Sequence, residues 1–172
     1  IDSGGGILVG PFASLDNGPG DGSVSISSVD AYGQFFSAVY DPIDDNPAET
    51  TFDSEVYFRF GNSGTRQSLI VASGDSGSSI RSLNNEANSS FNIGDLTFVL
   101  TQTLEPVFDE FGSQSGTLLT QTYRIMNTGA SSQAFELVRY LDGDLEFDGS
   151  IEEGGGRLQL PTGEDLLFET DL

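Results

Sequence analysis

Residues 55–60 read EVYFRF, and the fold class turns on this short run. Val56, Phe58 and Phe60 share one side while Glu55, Tyr57 and Arg59 share the other, the period of two that marks a strand with a single buried face. The runs on either side of it behave in the same way. SVSIS at 23–27, LTFVL at 96–100 and FELVRYL at 135–141 alternate, and QFFSAV (34–39), QSLIVA (67–72), TLLTQTYRIM (117–126), RLQL (157–160) and LLFE (166–169) read as further strands. Twenty-two glycines cut the chain into these short pieces, and no stretch shows a convincing helical stripe. About ten strands at such spacing predict an all-β fold, an antiparallel β-sandwich of jelly-roll or immunoglobulin-like type.

At 172 residues the chain has the length of one domain, large enough to fold without covalent staples. That domain is expected to span 23–172. Residues 1–22, with GGG at 4–6 and DNGPGDG at 16–22, read as a glycine-rich N-terminal arm. Its one apolar segment, GILVGPF at 6–12, is short enough to add one strand over Ile7–Val9 to a sheet edge, in its own domain or in a neighbouring copy. Pro11 suits the end of such a strand. EDLLFETDL stops just after an apparent strand, so the chain is expected to be one piece of a longer polypeptide or a trimmed subunit.

The clearest expected pairing sets Leu96–Leu104 against Thr117–Met126, with EPVFDEFGSQSG at 105–116 as a long connection between them. Phe108 and Phe111 of that connection are expected to pack down on the domain. NTGASSQ at 127–133 is an Asn/Gly/Ser turn that feeds FELVRYL into an acidic stretch.

Charge excludes several partner classes. All six basic residues are arginine, against 27 acids, for a formal charge of −21. Such a field repels phosphate backbones and anionic lipid and attracts cations. Nucleic acid is therefore not expected as a partner, and no run reaches the ~20 apolar residues needed for membrane insertion. A lysine-free, acid-rich surface suits salty or calcium-rich surroundings, which points to a secreted or cell-surface protein.

Histidine, lysine, cysteine and tryptophan are all absent. GDSG at 74–77 copies the surroundings of a protease serine, but the chain has no histidine or lysine to act as its base, so it reads as a turn. Zinc sites built on histidine or thiolate, and Schiff-base chemistry, are excluded in the same way. The chain is therefore not expected to be an enzyme. Two carboxylates suffice for glycoside hydrolysis, which keeps a carboxylate-only hydrolase as the least favoured alternative. A carbohydrate-binding module ranks above it and would use exposed Tyr32, Tyr40 or Tyr57 as platforms.

The acidic stretch DGDLEFDGSIEE at 142–153 has two readings. Asp142, Asp144, Glu146 and Asp148 alternate with Gly143, Leu145 and Phe147, as on the wet face of a strand. Alternate side chains there lie about 6.6–7 Å apart, where like charges in water repel by only about 0.6 kcal/mol. An extended strand cannot bring all four to one calcium, whose ligand oxygens each lie about 2.3–2.6 Å from the ion, so binding needs a curled loop. Starting at Asp144, such a loop places Asp144, Glu146 and Asp148 at its first, third and fifth positions, Gly149 at the turn, the Ser150 carbonyl next and Glu152 two further on. In this it resembles the DxDxDG calcium loops of EF-hands and of many extracellular calcium modules. The likeness ends at Gly155, where an EF-hand places its bidentate glutamate. Glu153 or an acid from another loop would have to complete the shell, with Asp142 at its entrance. A second acidic stretch, DPIDDNPAETTFDSE at 41–55, reads as a solvated connection.

YRIMNTG followed by FELVRYLDGDL also resembles the strand-turn-strand texture of bacterial exported β-sandwich modules that carry calcium at loop mouths. The resemblance implies an exported, calcium-stabilised structural or adhesive module. Its partners would be other protein subunits or surface glycans, and assembly into a homo-oligomer or filament would run through the N-terminal arm.

Overall fold

The structure, a computed structural model, describes residues 23–41, 48–49, 51–74, 79–83, 86–143 and 154–170. In chain order its elements are β1 (Ser23–Val29), β2 (Phe35–Asp41), β3 (Ala48–Glu49), β4 (Thr51–Phe60), β5 (Gln67–Ser68), α1 (Leu69–Ser73), β6 (Ser79–Leu83), β7 (Glu86–Ile93), β8 (Leu96–Phe108), β9 (Gln114–Asn127), β10 (Phe135–Gly143), β11 (Gly154–Gln159) and β12 (Asp165–Thr170). The fold is all-β and every strand pair is antiparallel. The sheets run β6-β7-β8-β9, β10-β4-β5 and β1-β2-β3, with β11-β12 as a separate hairpin.

EVYFRF lies in β4 with the expected division of faces. Ser54, Val56 and Phe58 are buried while Asp53, Glu55, Tyr57 and Arg59 are half-buried on the other side. Strand β8 continues the pattern, with Leu96, Phe98, Leu100, Gln102 and Leu104 all buried. The two faces meet through aromatic rings. Phe58 packs edge-on to Phe98 at 5.9 Å, Phe98 stacks on Phe91 at 4.9 Å, and Phe91 meets Tyr32 at 4.8 Å. Each such pair contributes about 0.5–1.5 kcal/mol beyond the area it buries.

Three hairpins share one turn. In Asp30–Gln34, Asp109–Ser113 and Leu160–Glu164 the first residue's N–H donates to the fifth residue's carbonyl, at 2.9, 2.9 and 2.7 Å. The fourth residue is in each case a glycine with positive φ: Gly33 at 94°, Gly112 at 85° and Gly163 at 89°. This is the three-residue loop that ends in a left-handed residue. In two of them an aspartate braces the loop. Asp30 Oδ1 accepts from Tyr32 N–H (2.8 Å) and Gln34 N–H (2.9 Å), and Asp109 Oδ1 accepts from Phe111 N–H (2.8 Å) and Ser113 N–H (2.9 Å).

The first of these turns is buried, which is costly for a loop unless its backbone finds partners. Here side chains from distant strands supply them. The Asp30 carbonyl accepts from Gln102 (2.9 Å), that of Ala31 from Ser89 (2.6 Å), and that of Tyr32 from the Tyr123 hydroxyl (2.6 Å). The Gly33 carbonyl accepts from both Gln121 (2.7 Å) and Arg139 (3.0 Å). Gln121 also donates to Gln102 (2.8 Å), so the glutamines of two TQT triplets, facing each other in the β8–β9 register, hold the turn together.

Several expectations need correction. QSLIVA is strand only at Gln67–Ser68, after which the chain coils into α1 because Leu69 and Ser73, one helical turn apart, are both buried and Gly74 closes the helix at φ 67°. EPVFDEFGSQSG is not a long connection. Strands β8 and β9 run through it and leave only the turn at 109–113, and Phe108 and Phe111 do not pack down but stand 57% and 83% exposed. Strands β6 and β7 were not foreseen, because β7 offers the core only Ala87, Ser89, Phe91 and Ile93 among polar neighbours. The arm at 1–22 and its strand at Ile7–Val9, together with 75–77 of the GDSG run, lie outside the described residues.

Candidate functional site

The β4–β10 ladder ends where the acidic stretch begins. On its outer face the register sets Arg59 beside Glu136, Tyr57 beside Val138, Glu55 beside Tyr140 and Asp53 beside Asp142. The ladder then shifts register between Asp142 and Gly143, as at a bulge, with Phe52 of β4 passed over between Asp53 and Thr51. Directly opposed residues on antiparallel strands have Cβ atoms about 4.5–5.5 Å apart, and two like charges so placed are destabilising. Asp53 and Asp142 are such a pair.

Their neighbours are tyrosines and a further acid. Asp142 Oδ2 accepts from the Tyr140 hydroxyl at 3.2 Å, and Asp53 Oδ1 accepts from Ser54 N–H at 2.7 Å. The Tyr57 and Tyr140 rings meet edge-on at 6.5 Å. Hydrogen bonds to Glu55 and to Asp142, with the negative charge of those carboxylates, hold the Tyr57 and Tyr140 phenols above the usual tyrosine range. At the far end of the ladder Glu136 is paired with Arg59 and, at 2.7 Å, with Arg66.

The inner face of β10 carries Arg139. Its Nη1 donates to the Gly33 carbonyl, its Nη2 to Ser54 Oγ, and its guanidinium lies 5.0 Å from the centre of the Phe35 ring. The charge-bearing atoms sit in these part-buried contacts although the residue as a whole remains open to solvent. Loss of solvent pulls the guanidinium below its ordinary pKa, with Tyr123, Asp30 and Asp53 opposing the shift. Arg139 makes no ion pair with a described residue, unlike Arg59, Arg66 and Arg157.

Beside Arg139 a groove of about 740 Å³ opens between the end of β10 and the β11–β12 hairpin, with Leu141, Gly143, Gly155, Leu167 and Phe168 in its lining. That is the size range of small-ligand sites, about 300–1,000 Å³.

Of the expected calcium ligands, Asp142 stands at the mouth of the ladder, half-buried and facing Asp53. Asp144, Glu146, Asp148, Ser150, Glu152 and Glu153 lie outside the described residues, as do residues 42–47 and 50 of the second acidic stretch. Among the described residues no three acids gather closely enough to hold a metal ion. The structure joins what the sequence kept apart, since Asp53 of the second acidic stretch faces Asp142 of the first. Of the tyrosines expected as sugar platforms, Tyr32 is buried at 2% exposure in the core and is ruled out. Tyr57 is half-buried, the side chain of Tyr40 lies outside the described residues, and Tyr140, which was not singled out, is exposed.

No protein-family model matches the chain, and neither does any curated protein or solved structure. Among the described residues no helix is long and apolar enough to cross a membrane.

Proposed function

We propose that the chain is a non-catalytic β-sandwich module, exported and stabilised by calcium, that serves a structural or adhesive assembly. The observation that carries the reading is the Asp53–Asp142 pair, two carboxylates held opposite each other where a run of further acids leaves the ladder. A hard divalent cation relieves that repulsion, and calcium accepts numerous oxygen ligands in flexible geometry. Asp142, Asp144, Glu146, Asp148, Ser150, Glu152 and Glu153 would supply the shell, with Asp53 as the acid from another element.

The test is a thermal melt in chelator and in millimolar calcium at constant ionic strength. Calcium at a hundred times its dissociation constant stabilises by about 2.7 kcal/mol, so the midpoint rises. Asp144→Ala, Asp148→Ala and Asp53→Asn each remove most of the gain. An unchanged midpoint in calcium sinks the calcium reading.

One observation favours a second reading, a carbohydrate-binding module. Tyr57 and Tyr140 meet in a T-shaped pair on a face that also carries Glu55, Asp53 and Asp142, a pairing of aromatic platform and acceptors suited to a sugar. Glycan binding that persists in chelator and disappears in Tyr140→Ala would select it over the first.

A further inference from the structure

We propose that the tip of the β8–β9 hairpin of one copy docks into the groove between β10 and the β11–β12 hairpin of a second copy. The inference rests on the assembly reading above and supplies its contact.

The tip is built as a projecting anchor. Pairing of β7 with β8 ends at Glu86–Thr103, whereas β8 and β9 stay paired to Phe108–Gln114. Burial stops at the same place, since the last inward residue of β8 is Leu104 and the chain beyond it is largely exposed. Phe111 crowns the turn at 83% exposure, with Phe108 below it at 57%. Asp109 holds the backbone of that turn through two hydrogen bonds, so the ring is presented on a rigid loop and docking it costs little further ordering. Aromatic side chains displayed in this way are the usual anchors of protein interfaces. The exposed carboxylate of Glu110 lies beside it.

The groove is its chemical complement. Leu141, Leu167 and Phe168 line it at 47%, 75% and 46% exposure, so apolar surface faces water on that side as well. Arg139, on the same lining, makes no ion pair with a described residue, although the charges of Asp30 and Asp53 reach it and Glu169 also lines the groove, and its two donated hydrogen bonds leave N–H groups over for a carboxylate. In a chain with 27 acids and six arginines, an arginine among Leu141, Leu167 and Phe168 fits an aromatic tip flanked by acids. The tip does not fill its own groove, because Phe111 is exposed within its own chain. Tip and groove are different surfaces, so the contact is heterologous and continues from copy to copy, either closing into a ring or running on as a filament.

The test is sedimentation of the full chain over a range of concentrations at physiological ionic strength, with and without calcium. The expected result is a mass that grows beyond the dimer with concentration. Phe111→Ser and Leu167→Asp, both at exposed positions, should each weaken self-association by about tenfold or more with little change in the melt. Glu110→Arg should weaken it as well, by setting a cation against Arg139. Mixed together, Phe111→Ser and Leu167→Asp should give heterodimers and nothing larger, since each variant keeps the half the other has lost. A native chain that stays monomeric throughout overturns the proposal. If both variants assemble like the native chain, the contact is wrong while the assembly reading stands. Failure of calcium to move the melt strikes that earlier reading separately.

Discussion

Gly33 has no room for a side chain. A Cβ built there would lie 1.9 Å from the Tyr123 hydroxyl oxygen, and its φ of 94° belongs to the left-handed region that favours glycine. Gly33→Ala should therefore expel the Tyr123 hydroxyl from the Tyr32 carbonyl as well as strain the turn, at a combined cost of about 2–5 kcal/mol read from denaturant melts. Tyr123 itself gives a test with a pH signature. Burial pushes its phenol above the usual tyrosine range, while Arg139 pulls the other way and Asp30 adds to the rise. A proton held more tightly in the folded than in the unfolded state leaves stability intact below the free tyrosine pKa of about 10. Above it, stability falls by up to about 1.4 kcal/mol per pH unit. Tyr123→Phe should lose about 1–3 kcal/mol at neutral pH, because it leaves the Tyr32 carbonyl unmet, and the gap to the native chain should narrow as the pH climbs past about 10. A gap constant from pH about 8 to 11 would show that this phenol is not buried as described.

Elements differ in how plainly their residues announce them. Strands β4 and β10 were legible because large apolar residues alternate with charged ones, and β8 and β9 because threonines alternate with Phe98, Leu100, Leu119 and Ile125. Strand β7 was not, since half of its inward face is Ala87 and Ser89, the latter turned inward to donate to the Ala31 carbonyl. The full reach of β8 and β9 was hidden by Pro106 and Gly116, which look like loop residues but pair across the ribbon with Thr117 and Val107. The β4–β10 ladder also carries a pH-sensitive clasp. Arg66's hydrogen bond, joined by Arg59's, holds the Glu136 carboxyl below the usual glutamate range although loss of solvent acts the other way. Its contribution is therefore present above the unfolded glutamate pKa of about 4.3 and is lost as the pH falls through the lower folded value. Glu136→Gln should melt below the native chain at neutral pH, and the two should converge in acid below about pH 4. Curves that stay parallel into acid would rule out the ion pairs as the cause.

The whole molecule carries −21 formal charges, and its arginines offset few of them. Self-repulsion on that scale is relieved by salt, whose screening length falls to about 10 Å at 0.1 M. In chelator, the melting temperature should therefore climb steeply with sodium chloride at low salt and flatten near physiological ionic strength. A midpoint independent of salt from the lowest concentrations upward would mean that the acids are neutralised within the fold.

What the sequence determined by itself is what is local: the two faces of EVYFRF, the short runs into which glycines cut the chain, and the sign of the surface. These follow from the pleat of one strand, the conformations open to one residue and a sum of charges, none of which needs a distant partner. Only the tertiary structure decided that Asp53 faces Asp142, that the Asp30–Gln34 turn is buried, and that Arg139 lines a groove while meeting the carbonyl of Gly33. Strand alternation says which side chains share a face but not which strand lies alongside, and a buried turn is stable only when groups from remote strands arrive at its carbonyls. Gln102, Gln121 and Tyr123 look like ordinary strand residues until the β8–β9 register and the first turn are brought together around them.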